Sequence, residues 1–124
     1  MSDKEWRNYI KEVKDNYKKI GHVICPAFGV EEVYFNRKGF QHLLYKKGDR
    51  RNKKDQINRL LLIDGAVEIV SNIKSYSEYR KDKDMNFWSL VGYKNNKKIT
   101  VIIAQLDGGI KYFLSVMVKS TKTS

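Results

Sequence analysis

The C-terminal third of the chain carries the pattern that most limits its fold. Three runs, FWSLVGY (87–93), KITVIIAQL (98–106) and IKYFLSVMV (110–118), are rich in β-branched and aromatic residues. Asn95-Asn96 separates the first two and Asp107-Gly108-Gly109 the last two, and both sequences suit tight turns. The spacing predicts three consecutive antiparallel strands. An edge strand drawn from EEVYF (31–35) or from the 74–80 region would complete the sheet. SYSEYRKDKDMN (75–86) is polar and reads as an exposed loop.

Upstream the period changes from two to three or four. Trp6, Tyr9, Ile10, Val13, Tyr17 and Ile20 mark an amphipathic helix over 3–20, with Ser2 or Asp3 as N-cap and Gly21 past its end. His22 follows that end, where the helix dipole favours a cation. HVICP is a short extended piece halted by the only proline, Pro26. A short helix is expected at about 37–46. Another starts near Asn52, apolar all round from Ile57 to Val70, with Asp64-Gly65 as its break point. Helices first and sheet after is an α+β layout, expected as N-terminal helices packed on a four-stranded antiparallel sheet. One domain is expected over 1–124: an N-terminal helix (1–21), a core (30–119) and a loose tail (120–124).

Charge narrows the partners. The 25 Lys and Arg against 14 Asp and Glu leave a formal charge of +11, which favours a polyanion. Nucleic acid comes first, then a membrane surface or an acidic protein. The single cysteine, Cys25, excludes an intrachain disulfide and a multi-cysteine zinc site, and its apolar setting reads as structural. The two histidines are not at ligand spacing, and no glycine-rich phosphate loop occurs, so neither metal nor cofactor is expected. The charged N-terminus does not read as a signal peptide, so none is expected, and no apolar run is long enough to span a membrane. A cytoplasmic setting is expected.

The block GFQHLLYKKGDRRNKKDQINRL (39–60) holds the best candidate chemistry. If Phe40, Leu43 and Leu44 form the buried stripe, helical geometry takes His42 off it, beside Lys38 and Lys46. Cations there keep the imidazole neutral near pH 7, and a bound phosphate would reverse this. Gly48 lets the next loop bend, and Arg50 and Arg51 suit phosphate oxygens. On the last run, simple alternation puts Lys111, Phe113, Ser115, Met117 and Lys119 on one face. A face of cations, a hydroxyl and an exposed aromatic suits RNA, with Phe113 or Trp88 stacking on a base.

The order of these features is a strand leading into RKGFQH, a basic loop, the helix INRLLLI, then KKITVIIAQLDGGIKYFLSV. It resembles the barnase–EndoU–colicin–RelE superfamily of metal-independent ribonucleases, especially its phage- and mobile-element-associated branches, over about residues 30–119. The resemblance implies N-terminal helices on a four-stranded antiparallel sheet, with the active site on the open sheet face. It maps the acid/base histidine onto His42, the phosphate-holding cations onto Arg50 or Arg51 and Lys38, and a polar residue of the last strand onto Ser115. No second histidine lies in the C-terminal half, where several members have one.

The expected reaction is 2′-hydroxyl attack on the adjacent phosphorus, giving a 2′,3′-cyclic phosphate. Arg50, Arg51 and Lys111 would stabilise the phosphoryl oxygens and Ser115 would hydrogen-bond the phosphate. Tyr45, Lys38 and Asp49 remain open as the second proton carrier. The resemblance further implies a toxin role, with RNA, including tRNA, as substrate and an acidic antitoxin or immunity protein as partner. The alternatives are a basic nucleic-acid-binding module without catalysis, or a module that binds an acidic protein.

Overall fold

The first helix shows how closely local sequence governs the ends of elements. In the computed structural model, which describes residues 2–119, α1 runs Asp3–Ile20. Ser2 Oγ accepts from the Glu5 amide and the Glu5 carboxylate accepts from the Ser2 amide, closing a capping box. Gly21 ends the helix with a positive φ of 66°. The tail expected to be loose, 120–124, lies outside the described residues.

Beyond Gly21 come β1 (His22–Ile24), one 3-10 turn at Pro26–Phe28, and β2 (Glu32–Tyr34). Helix α2 (Arg37–Leu44) is capped by Asn36, whose side chain accepts from the Gly39 amide. It stops two residues short of the expected end. Tyr45–Lys46 (β3) and Asp49–Arg50 (β4) form a small hairpin instead of a loop, turning on Lys47 and Gly48 with φ of 51° and 83°. Helices α3 (Lys53–Leu60) and α4 (Ile63–Asn72) follow. The long apolar run therefore breaks at Leu61-Leu62, ahead of Asp64-Gly65. The break turns Leu60 and Ile63 into the core and leaves Leu61 exposed, so two short helices account for apolar residues on all sides.

Strands β5 (Glu78–Asp82), β6 (Met85–Lys94), β7 (Lys97–Leu106) and β8 (Lys111–Lys119) complete the chain. The β6–β7 hairpin turns on Asn95 and Asn96, both left-handed, as the sequence predicts. The sheet is larger than expected. It has six strands in the order β1-β2-β8-β7-β6-β5, and β2 runs parallel to β8. The four-stranded antiparallel expectation is thus corrected to a six-stranded mixed sheet within an α+β fold. Both candidate edge segments are used, one on each side. The three-residue β1 is too short to show a period, and β5, EYRKD, is exposed at every residue.

The strand faces are also reassigned. Ile103 pairs with Phe113 but Ile102 pairs with Ser115, so Leu114 is an extra residue, a β-bulge. The bulge puts Phe113 and Ser115 on opposite faces. Phe113 joins Leu90, Val101, Ile103 and Val116, all fully buried, on the core face. Helix α4 packs on this face, with Ile69 against Gly92. Tyr17 of α1, Phe35 and Phe40 close the core around the Phe113 ring. Cys25 is buried there as a free thiol, and burial raises its pKa. Ser115 and Met117 belong to the other face, with Phe87, Ser89 and Ile102, which stay partly open to solvent.

Beyond Tyr112, β8 leaves the register of β2, and α2 lies along it. A Cβ on Gly39 would stand 2.2 Å from the Phe113 carbonyl oxygen, so only glycine admits so close a helix. Arg59 of α3 donates from Nη1 to the Val116 carbonyl at 3.2 Å, satisfying a strand acceptor that has lost its sheet neighbour. Among the described residues, no helix is long and apolar enough to cross a membrane.

Candidate active site

His42 sits on the rim between α2 and the open sheet face. Phe40 and Leu43 are buried, so the helix must present His42 to another side. It lines a cavity of about 320 Å³ together with Leu114, Ser115 and Met117 of β8 and Ile102 of β7. The far wall is Glu78 and Arg80 of β5 with Phe87 and Ser89 of β6. These positions are cross-strand partners: Glu78 pairs Ser89, Arg80 pairs Phe87, and Ser89 and Ser115 both pair Ile102. One row across the sheet thus carries a carboxylate, two hydroxyls and the imidazole at its end.

The imidazole is half buried, and its Nδ1 is buried with no hydrogen-bond partner among the described residues. Its pKa is lowered from the ordinary histidine value, by burial first and then by the positive charges of Arg51, Arg59 and Lys46. The ring is therefore neutral at pH 7, and an anion in the cavity would offset the field that keeps it so.

A polar chain holds this ring in place. Arg51 Nε donates to the His42 carbonyl at 3.1 Å, and Arg51 Nη1 donates to Asp55 Oδ2 at 3.3 Å. Arg59 Nε donates to Asp55 Oδ1 and Arg59 Nη1 to Ser115 Oγ, both at 3.2 Å. Asp55 thus offsets the repulsion between two guanidinium groups. Across the cavity, the Arg80 guanidinium lies 4.6 Å from the centre of the Phe87 ring.

The residues singled out in the sequence separate into three places. His42 and Ser115 meet in the cavity. Arg51 stands behind His42, only 9% exposed and committed to the His42 carbonyl and Asp55, so it positions the histidine. Lys46 is exposed and near enough to depress His42, and Lys38 Nζ lies 5.6 Å from the Tyr112 ring centre on the same side of α2. Arg50 and Tyr45 face a different cleft, against α1, and Asp49 lies on the same small hairpin.

Lys111, Phe113 and Trp88 belong to the core side. Lys111 Nζ meets Glu31 Oε2 at 2.6 Å and lies about 5 Å from the Phe28 and Trp88 rings. Trp88 packs edge-on against Phe28. Phe113 is fully buried, stacked 5.0 Å from Phe35, and has no ring face for a base. His22 is exposed beside Glu32, remote from the cavity residues. Glu78 and Arg80, which line the cavity, and Arg59, which holds Ser115 from outside it, are the groups that sequence reasoning passed over. The alternation of Glu78 and Arg80 around Tyr79 was a strand signal hidden by its polarity.

Comparisons with protein-family models, with curated proteins and with solved structures each return no match. The functional reading rests on the cavity itself.

Proposed function

We propose that the chain is a metal-independent endoribonuclease, as its resemblance to the barnase–EndoU–colicin–RelE superfamily implies. One observation carries the reading: a half-buried imidazole, its Nδ1 buried behind the ring, lines the same cavity as a carboxylate, a guanidinium and a hydroxyl. These are the groups that phosphodiester transfer to a 2′-hydroxyl requires.

Glu78 takes the 2′-hydroxyl proton as that oxygen attacks phosphorus. The bond to the 5′-oxygen breaks, and His42 returns a proton to that oxygen. The incoming phosphate itself loads His42, because it neutralises part of the field from Arg51, Arg59 and Lys46. Arg80, steadied over the Phe87 ring, and the Ser115 hydroxyl hold the phosphoryl oxygens.

The test is RNA cleavage in EDTA by the wild type, His42→Ala and Glu78→Gln. Loss of about 100-fold or more in kcat/KM is expected for each variant. Wild-type rates in both variants would sink the assignment. Salt-sensitive RNA binding with no cleavage by the wild type would instead identify a binding module. A ribonuclease acting in the cytoplasm endangers its host, so the reading includes a toxin role and an acidic inhibitor steered by the +11 charge.

A further inference from the structure

A second groove lies on the other side of α2 from His42. Two cavities, of about 610 and 520 Å³, share Ile10, Lys14, Leu44 and Tyr45 as walls and so form one trough along α1. Its floor is aliphatic and aromatic: Ile10 and Leu44 are half buried, and Tyr45 is 38% exposed. Its two rims are cationic. Arg7, Lys11, Lys14 and Lys18 form the α1 rim, and at 100° per residue they fall within an arc of about 60°. Glu5 and Glu12 lie about 140° or more from Arg7, on the far side of the helix. Arg37, Arg50 and Lys53 form the opposite rim. Asp3 is the one carboxylate among the lining residues, and Lys53 already pairs with it at 3.5 Å.

We propose that this trough docks an acidic amphipathic segment of a partner protein, a helix whose apolar stripe covers Ile10, Leu44 and Tyr45 and whose carboxylates reach both rims. The α1 rim runs from Arg7 to Lys18, about 16 Å, which matches three turns of such a helix. A single-stranded nucleic acid would meet the same cations but needs free aromatic faces for its bases. Trp6 offers little, being 9% exposed with Tyr9 and Lys53 already against it. Tyr45 alone leaves an aromatic face open, where successive bases need several, and Ile10 and Leu44 beside it favour a peptide. The proposal stands whether or not the His42 cavity cuts RNA.

The experiment is fluorescence anisotropy with the full chain and three labelled probes. One is a 14-residue peptide (a length of about four turns) with Leu at helical spacing flanked by Glu. The second is its scrambled equivalent, and the third is an oligouridylate of equal charge. The patterned peptide should bind at least about tenfold tighter than the scrambled one. Tyr45→Ala and the double change Lys11→Glu with Lys14→Glu, both at exposed positions, should each erase that difference. Equal binding of the two peptides, no binding of either, or displacement of the patterned peptide by the oligouridylate would overturn the proposal.

Discussion

His42 is held where its charge is disfavoured, and that has a measurable sign. Its folded pKa lies below the ordinary value of 6.5. Above pH 6.5 both folded and unfolded chains carry it neutral, and the associated stability is intact. As pH falls below 6.5, the unfolded chain takes up a proton that the folded chain resists. Stability is lost until the folded pKa is passed. His42→Gln removes this dependence, so its thermal midpoint should gain on that of the wild type between pH 7 and 5. A constant gap would contradict the burial of the ring. For catalysis by His42 as acid, the alkaline limb of kcat/KM, which reports the free enzyme, should lie below pH 6.5, while that of kcat lies higher. Arg51 acts on the same ring from behind. Arg51→Ala leaves the His42 carbonyl without its donor, Asp55 keeping Arg59, and should cost about 1–3 kcal/mol in denaturant unfolding. Arg51 was recognisable in the sequence as a cation beside His42. Its inward direction was not, because the hairpin that reverses the chain at Lys47-Gly48 read as a loop offering both arginines to phosphate.

Among the elements, α2 and β8 do the most to shape the cavity. Gly39 lets the helix approach the strand, and Gly39→Ala should destabilise the fold by about 3 kcal/mol, since the Phe113 carbonyl is backbone and cannot step aside. Circular dichroism melts of this variant beside Gly48→Asn, a substitution that keeps a left-handed turn, would separate close approach from turn chemistry. The three long strands and α1 were legible because their periods are long and their turns carry Asn and Gly. Strand β5 was legible only as one of two edge candidates, in competition with a loop reading of 75–86, since its residues are charged and register with β6 is what fixes it. The Leu114 bulge was illegible for a different reason. Alternation counts residues, and one unpaired residue reverses every assignment beyond it. That single slip moved Phe113 from a base-stacking role to the core and left Ser115 where His42 can meet it.

Over the whole molecule, charge decides how a polyanion arrives. If Arg80, Lys46 and Lys38 meet phosphates, about three counterions are released, and log affinity for single-stranded RNA should fall against log salt with a slope near −2 (about −0.7 per phosphate). A slope close to zero would remove nucleic acid from consideration. The two cationic regions flank α2 on opposite sides, so a protein segment on the α1 trough and RNA in the His42 cavity need not exclude each other. The cavity itself is built from unequal halves. His42 and Ser115 rest on α2 and β8, inside the core. Glu78 and Arg80 hang on the outermost strand, exposed along its whole length and tied on one side only. Such an edge frays at far lower free energy than the centre of the sheet. The far wall should therefore breathe: its amides exchange with solvent well ahead of those of β7, and the chain can widen its cavity for a bulky substrate without disturbing the core that holds the histidine.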